Sequence, residues 1–205
     1  ITAGLPMPKL YIMNDPAPNA FATGRNAEHA ALAVTSGLLA ALDRSELEGV
    51  ISHELSHIGN RDMLVGTVAV VLVGFVAILS DMFMRSMLFG GGRRDSREGG
   101  GLMIILAIAA AILAPLATTL IQLAVSPKRE FLADASGALL TRYPEGLASA
   151  LQKIGAYGRP MQKASTATAH LFISNPFGSK AGRGFARLLM THPPVEERIK
   201  ALVGK

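Results

Sequence analysis

Two long apolar segments place the strongest constraint on how this chain can fold. Residues 63–80 comprise 18 residues without a charge, and residues 102–125 comprise 24 more. A helix of about 20 apolar residues is long enough to cross the hydrocarbon core of a bilayer. A polar, glycine-rich loop, residues 90–101, separates the two segments. We therefore predict a transmembrane helical hairpin over residues 63–125.

The alternative is a pair of core helices in a soluble protein, but the remaining chain is short for enclosing two such helices. Composition also favours the membrane, because 50% of the residues are hydrophobic and only 5% are aromatic. Basic residues flank both ends of the hairpin, so the charge pattern favours neither orientation clearly.

Cysteine is absent from the chain, which excludes disulfides and thiolate ligands. A bound metal must then be held by His, Asp or Glu. The net charge is +5, yet no stripe of Lys and Arg interleaved with aromatic residues is found, so nucleic acid is not a predicted partner. An excess of basic residues around apolar segments favours contact with the headgroups of a lipid bilayer.

The motif His53-Glu54-Leu55-Ser56-His57 predicts a metal site. Two imidazoles four residues apart on a helix differ by about 40° around its axis, so both can reach one ion. Zinc binds neutral imidazole readily, and a Glu beside the first ligand can take a proton from a water molecule at the metal. This combination is typical of metal-assisted peptide hydrolysis, although a short motif also occurs by chance on ordinary helices.

The elements around the motif predict an α+β fold that is mainly helical. Two apolar runs, residues 19–24 and 29–35, favour a small antiparallel sheet. Ser45 and Glu48 form a capping-box pattern that would start the motif helix, with its polar triplet lining a cleft. We expect residues 1–62 and 126–205 to form one protease-like domain, interrupted by the hairpin of residues 63–125.

A catalytic zinc site usually has three protein ligands, which leaves one to find. We assign it to Glu130, on the first helix after the hairpin. Asp134 lies four residues later on the same face. There it could accept a hydrogen bond from a ligand histidine and fix its tautomer. The alternative is an exposed helix face with two like charges.

Four separated motifs resemble the HtpX family of membrane zinc proteases, and more distantly the CAAX-processing Ste24 proteases. They occur in order over nearly the whole chain. The motifs are residues 18–24 (PNAFATG), 48–58 (EGVISHELSHI), 129–134 (REFLAD) and 191–199 (THPPVEERI).

The resemblance implies a gluzincin-like domain with one zinc ion per chain, held by His53, His57 and Glu130, and with Glu54 as the base. It implies a multi-pass protein of the bacterial inner membrane whose active site faces the cytoplasm and which degrades damaged or misfolded membrane proteins. Two further membrane helices are expected upstream of Ile1. No oligomeric state is implied.

His192 and Arg198 are further candidates in the last motif. By resemblance, His192 hydrogen-bonds the developing oxyanion or fills the fourth zinc position, and the alternative is a loop histidine that caps a helix. Arg198 pairs with Asp134 or Glu130, or instead with Glu196 or Glu197 at the surface. His29 and His170 match no ligand spacing.

Asn19, Ala20, Phe21 and Ala22 are candidates for substrate binding, because an extended peptide can add as a strand to a sheet edge. The alternative is an ordinary strand. The leading hypothesis is zinc-dependent endoproteolysis of membrane or membrane-associated proteins. The rivals are a non-proteolytic membrane chaperone or scaffold with structural zinc, and a CAAX-type prenyl-protein protease.

Overall fold

The computed structural model describes residues 1–89, 104–105, 107–116, 119, 126–164, 168–178 and 193–204. The chain opens with a three-stranded sheet made of β1 (Lys9–Met13), β2 (Ala20–Gly24) and β3 (Ala30–Thr35), with a 3₁₀ turn at Ala27–His29. The strand order is β1-β3-β2. β2 pairs antiparallel with β3, and β1 pairs parallel with it.

The sheet is therefore mixed, and the prediction of a purely antiparallel sheet is wrong. The chain turns at Asp15, whose Oδ1 accepts the N–H of Ala17 at 2.9 Å. β2 then runs in the direction opposite to β1, and β3 lies between the two strands. β3, the central strand, is hydrogen-bonded along both edges, and five of its six residues are buried.

α1 (Ser36–Ala41) leads into α2 (Arg44–Gly59), the helix that carries the His-Glu-His motif. Its capping box is formed by Asp43 and Glu46, not by Ser45 and Glu48. The Ser45 hydroxyl donates to Asp43 Oδ1 at 2.8 Å, and Glu48 pairs with Arg44, so neither is available to cap the helix. The helix consequently starts two residues earlier than predicted.

α3 (Asp62–Phe89) contains the first apolar segment. Within its stretch Asp62–Arg85, the most apolar 18-residue window has a mean hydropathy of 2.6, and only 22% of that window is buried. It is the one helix among the described residues that is long and apolar enough to cross a membrane. The second apolar segment includes a shorter helix, α4 (Ala107–Leu116). Loop 90–101 lies outside the described residues, so the hairpin as a whole stays a prediction.

Three helices complete the fold: α5 (Pro127–Thr141), α6 (Pro144–Ala156) and α7 (Val195–Val203). Pro127 and Pro144 occupy the first helical positions, where the missing N–H of proline breaks no hydrogen bond within the helix. α2 packs on both α5 and α6, and α7 packs on α6.

Two glycines let these helices approach closely. A Cβ on Gly49 of α2 would lie 2.7 Å from the backbone nitrogen of Leu147, and a Cβ on Gly137 of α5 would lie 2.9 Å from that of His53. Because they lack a side chain, Gly49 allows the α6 backbone and Gly137 the α5 backbone to lie against α2. The short separation allows side chains from α5 to reach the motif histidines.

The main core fills the space between the sheet and the helices α2, α6 and α7. It is built from aliphatic side chains buried in the sheet, in α1, α2 and α6 and in the segment after residue 171, and partly buried side chains of α7 pack against it. The core residues are Ala20, Leu32, Val34, Leu38, Val50, Leu147, Ala150, Leu151, Ile154 and Ile173.

Candidate metal centre

α2 and α5 bring three potential metal ligands together. One ligand atom each from His53, His57 and Glu130 lies within 4.8 Å of the others. The two Nε2 atoms are 3.1 Å apart, and Glu130 oxygens lie 3.8 Å from His53 Nε2 and 3.5 Å from His57 Nε2. Tetrahedral ligands at zinc bond lengths of about 2.0–2.1 Å are separated by roughly 3.3 Å. The three side chains could therefore hold a zinc ion with little movement.

Carboxylates orient both imidazoles. His53 Nδ1 is 2.9 Å from Asp134 Oδ1, and His57 Nδ1 is 3.1 Å from Asp62 Oδ2. An Nδ1–H that donates to a carboxylate leaves Nε2 as the electron-pair donor. Two such nitrogens facing each other at 3.1 Å repel unless a proton or a cation lies between them. The donor set thus matches what a divalent metal requires.

The two histidines differ in their affinity for protons. Complete burial lowers the pKa of His53 to about 4, so its imidazole is neutral at pH 7. Burial would also lower the pKa of His57, but Asp62, Glu130 and Glu54 raise it above its ordinary value. In the absence of metal a proton can occupy the space between the imidazoles, and a metal ion would displace it.

Glu54 lies beside the three ligands and is 2% exposed. Burial raises the pKa of its carboxyl to about 7, and Glu130 contributes to the rise. His57, Arg198 and a hydrogen bond with the Ala22 backbone act in the opposite direction. Glu54 and the ligands line one cavity of about 40 Å³. A basic group poised near neutral pH therefore faces a space large enough for a water molecule.

A buried ion pair supports His53 from behind. Arg198, 1% exposed, donates from Nε to Asp134 Oδ2 at 2.8 Å and from Nη2 to Asp134 Oδ1 at 2.7 Å. Burial would raise the pKa of Asp134, yet the hydrogen bonds from Arg198 and His53 hold it well below its usual range. Arg198 Nη1 also lies 3.7 Å from Glu130 Oε2. Glu196 and Glu197 are exposed and stand apart from this pair.

Asp62 and Arg129 are site residues that the sequence reasoning missed. Asp62 Oδ1 accepts a hydrogen bond from Arg129 Nη1 at 2.7 Å, while its other oxygen holds His57. The chain turns between α2 and α3 at Arg61, whose φ is 61°. This left-handed conformation directs Asp62 back onto His57. An acidic residue just after the motif helix, with Arg129 beside Glu130, was the available signal.

The other predicted residues differ in their placement. His192 lies outside the described residues. His29 is exposed and bonded to Asn26 and Arg25, and His170 belongs to a 3₁₀ turn, Ala169–Leu171.

Among the substrate-strand candidates, Ala22 lines the metal cavity. Asn19 is buried, and its amide donates to Ser174 O at 3.0 Å. Phe21 forms an antiparallel bridge with Phe172, and Ala20 O accepts the N–H of Ile173 at 2.9 Å. Residues 172–173 thus already lie against the outer edge of β2.

Comparison with known proteins gives a consistent assignment. Residues 1–205 match the family described as peptidase family M48. A protease HtpX homolog of Caldanaerobacter subterraneus subsp. tengcongensis is 52% identical over 98% of this chain and 67% of its own length. Similar proteins of Tropheryma whipplei (strain Twist) and Syntrophobacter fumaroxidans are 54% and 51% identical over 98% of this chain, which covers 68% and 71% of them.

No solved structure matches the chain significantly. The chain spans about two thirds of the length of these relatives. Such identity over nearly the whole chain confirms the resemblance recognised from the four motifs. This chain belongs to the HtpX proteases of peptidase family M48 and is a metalloprotease.

Proposed function

We propose that this metalloprotease is a zinc-dependent endopeptidase in which His53, His57 and Glu130 hold one zinc ion and Glu54 is the general base. The observation that carries the proposal is that the three ligands and Glu54 line the same buried cavity. A bound zinc ion would supply Lewis-acid polarisation of the scissile carbonyl and would lower the pKa of water.

The chain's own groups perform the proton transfers. Glu54 accepts a proton from the attacking water and delivers it to the leaving amine, which its nearly neutral pKa allows in both directions. Asp134 and Asp62 keep the proton of each ligand imidazole on Nδ1, so that Nε2 can bind the metal. Arg198 holds Asp134 in place through two hydrogen bonds.

Removal of the metal tests this proposal. Chelation of the purified full chain should abolish cleavage of an unfolded protein such as casein, and about one equivalent of zinc should restore it, because the Lewis acid and the oriented water are lost together. Zinc content and cleavage are measured on the same samples. Undiminished cleavage by zinc-free protein would refute the metal mechanism, and stoichiometric zinc without cleavage would favour a scaffold with structural zinc.

We further propose that the enzyme works at the bacterial inner membrane, on misfolded or damaged membrane proteins, with its active site on the cytoplasmic side. The apolar α3 helix supports membrane insertion, since Val71, Phe75 and Ile78 are all exposed along it. Asp62 at the start of this helix bonds to His57. The metal centre would accordingly lie close to the membrane surface, where an unfolded membrane protein leaves the bilayer.

A pair of lysine substitutions tests membrane insertion. Val71→Lys places a charge on α3, and a charge near the centre of a spanning helix costs about 2.5–3.5 kcal/mol on the insertion scale. Leu139→Lys is the control, because Leu139 on α5 is similarly exposed (78% against 65%). Alkaline carbonate should leave the wild type and the control in the membrane pellet and extract part of Val71→Lys. Extraction of the wild type itself would show that α3 does not span the bilayer.

A further inference from the structure

The 3₁₀ turn Ala169–Leu171 and the residues after it contribute part of the wall of the metal cavity. Leu171 and Ile173 line this cavity together with Glu54 and His57. The volume of this cavity is about 40 Å³, and His53 and Glu54 in its wall are buried. Such a space accommodates an ion with a water-sized molecule but no peptide. A substrate that approaches the ligands along β2 must therefore displace Leu171.

The segment occupies the place of a peptide strand. Phe172 pairs antiparallel with Phe21 on the outer edge of β2, and the N–H of Ile173 donates to Ala20 O. Hydrogen-bonding groups of alternate residues face the same edge of a strand, so the backbone of Ala22 faces this edge as well. Its hydrogen bond with Glu54 places the edge directly at the metal centre. An extended substrate that adds to β2 would therefore compete with residues 171–172.

The side chain of Phe172 lines a pocket whose surface is mainly apolar, with Asp15 and Lys163 among its polar residues. Its ring is buried and packs edge-on against Phe21, with the ring centres 5.0 Å apart. Both rings, with Met13 and Met161, border a second cavity of about 420 Å³. Leu171 lines this cavity as well as the metal cavity, so the two are adjacent. Flexible methionine walls suit a pocket that accepts varied large apolar groups.

Ile173 provides a fixed point about which the segment can move. It is buried in the main core, and its carbonyl accepts a hydrogen bond from Arg198 Nη1 at 3.3 Å. Leu171 instead bonds within its own turn, to Thr168 O, and is only half-buried. Residues 168–172 can therefore swing away from β2 while Ile173 stays in place.

We propose that Leu171 and Phe172 form a displaceable strap that holds the position of the substrate strand beside β2, and that substrate replaces it by inserting a large apolar side chain into the pocket of Phe172. The inference rests on the proposed endopeptidase function. The apparent affinity for substrate is then the affinity of the open form multiplied by the fraction of molecules in which the strap is open. The preferred substrates are unfolded segments rich in apolar side chains.

A reversible lock tests the strap. The chain has no cysteine, so Phe21→Cys/Phe172→Cys introduces one isolated pair. Residues that lie directly opposite in an antiparallel bridge have Cα atoms about 4.5–5.5 Å apart, within the range for a disulfide. Oxidised full chain should lose at least about tenfold of its casein cleavage relative to the same protein after reduction. Zinc content should be equal in both states, and each single cysteine variant should cleave casein at the same rate before and after the oxidation step.

Equal cleavage by the oxidised and reduced double variant, with the disulfide verified by mass spectrometry, would overturn the strap proposal and leave the protease proposal intact. Absence of zinc-dependent cleavage in the wild type would refute the protease proposal on which the strap rests. Reduction restores the same polypeptide, so a folding defect cannot imitate the expected result.

Weakening the strap gives the opposite effect. Phe172→Ala removes the ring from the pocket and should raise kcat/KM for an unstructured peptide about tenfold, mainly through a lower KM. Phe177→Ala is the control, since Phe177 lies outside both cavities.

A series of peptides tests the pocket itself. In peptides of Gly, Ser and Ala that carry one Phe at successive positions, the wild-type enzyme should cleave at a fixed distance from the Phe. Cleavage independent of the Phe, or equal rates for the two variants, would overturn the proposal.

Discussion

Glu54→Gln should retain zinc and lose proteolysis by roughly 10²- to 10⁴-fold, the usual contribution of a general acid–base. The amide has the shape of the carboxyl but accepts no proton near neutral pH. It leaves His53, His57 and Glu130 unchanged, so metal binding should persist. Initial rates of casein cleavage, with zinc measured on the same preparation, check this result.

Glu48→Gln is the matched control for this substitution. Glu48 lies on the same helix, but it is exposed and pairs only with Arg44 at the surface. Its replacement should leave both zinc content and cleavage at wild-type levels. A zinc-loaded Glu54→Gln protein that cleaves as fast as the control would exclude Glu54 as the base.

Glu54→Gln should also change how the free energy of unfolding of the metal-free protein depends on pH. Burial raises the pKa of Glu54 from 4.5 to about 7 in the folded state. The unfolded chain therefore loses this proton at lower pH than the folded protein, and the contribution of Glu54 to stability falls between about pH 4.5 and 7. Glu54→Gln lacks this titration. As pH rises from about 4.5 to 7, the free energy of unfolding of the variant should therefore increase relative to that of the wild type.

Arg198→Met should lower the stability of the metal-free protein by about 3–5 kcal/mol, the usual cost of leaving a buried charge without its partner. The methionine fills the space but donates no hydrogen bond, which leaves the Asp134 carboxylate buried with only His53 beside it. Calorimetry of the detergent-solubilised full chain, in chelator, measures the change in unfolding.

Arg44→Met provides the comparison, because Arg44 also forms an ion pair but its side chain is 93% exposed. Exposed pairs of this kind contribute little to stability. The double substitution Arg198→Met/Asp134→Leu should recover part of the loss, since it removes the unpaired charge itself. If Arg198→Met and Arg44→Met unfolded alike, the buried pair would not be the support of the metal centre that we describe.

The parts of the site that follow helical geometry could be predicted from the sequence. The spacing of His53 and His57 requires only one helix, and the need for a third ligand with an acidic neighbour indicated Glu130 and Asp134. Their actual approach depends on the close packing of α2 against α5 at Gly137. The spacing of residues contains no information about that contact. The resemblance to a known family supplied the assignment of the three ligands and of the base.

The features that were missed depend on contacts between distant residues. β3 lies between β1 and β2 because strand pairing is decided by burial in the whole sheet, whereas sequence order suggested only a hairpin. Asp62 reaches His57 through the unusual φ of Arg61, which no residue type signals. The polar triplet lines a small cavity as predicted, but its wall also contains Leu171 and Ile173, which come from a segment without periodicity and could not be placed there from the sequence.

The location of bound zinc tests the central claim most directly. Anomalous diffraction at the zinc absorption edge, on crystals of the zinc-loaded full chain, should show one ion per chain about 2.0–2.2 Å from Nε2 of His53, Nε2 of His57 and a carboxylate oxygen of Glu130, with one position open to water. An ion that Glu130 does not reach, or one enclosed by four protein ligands, would contradict a catalytic zinc site at this place.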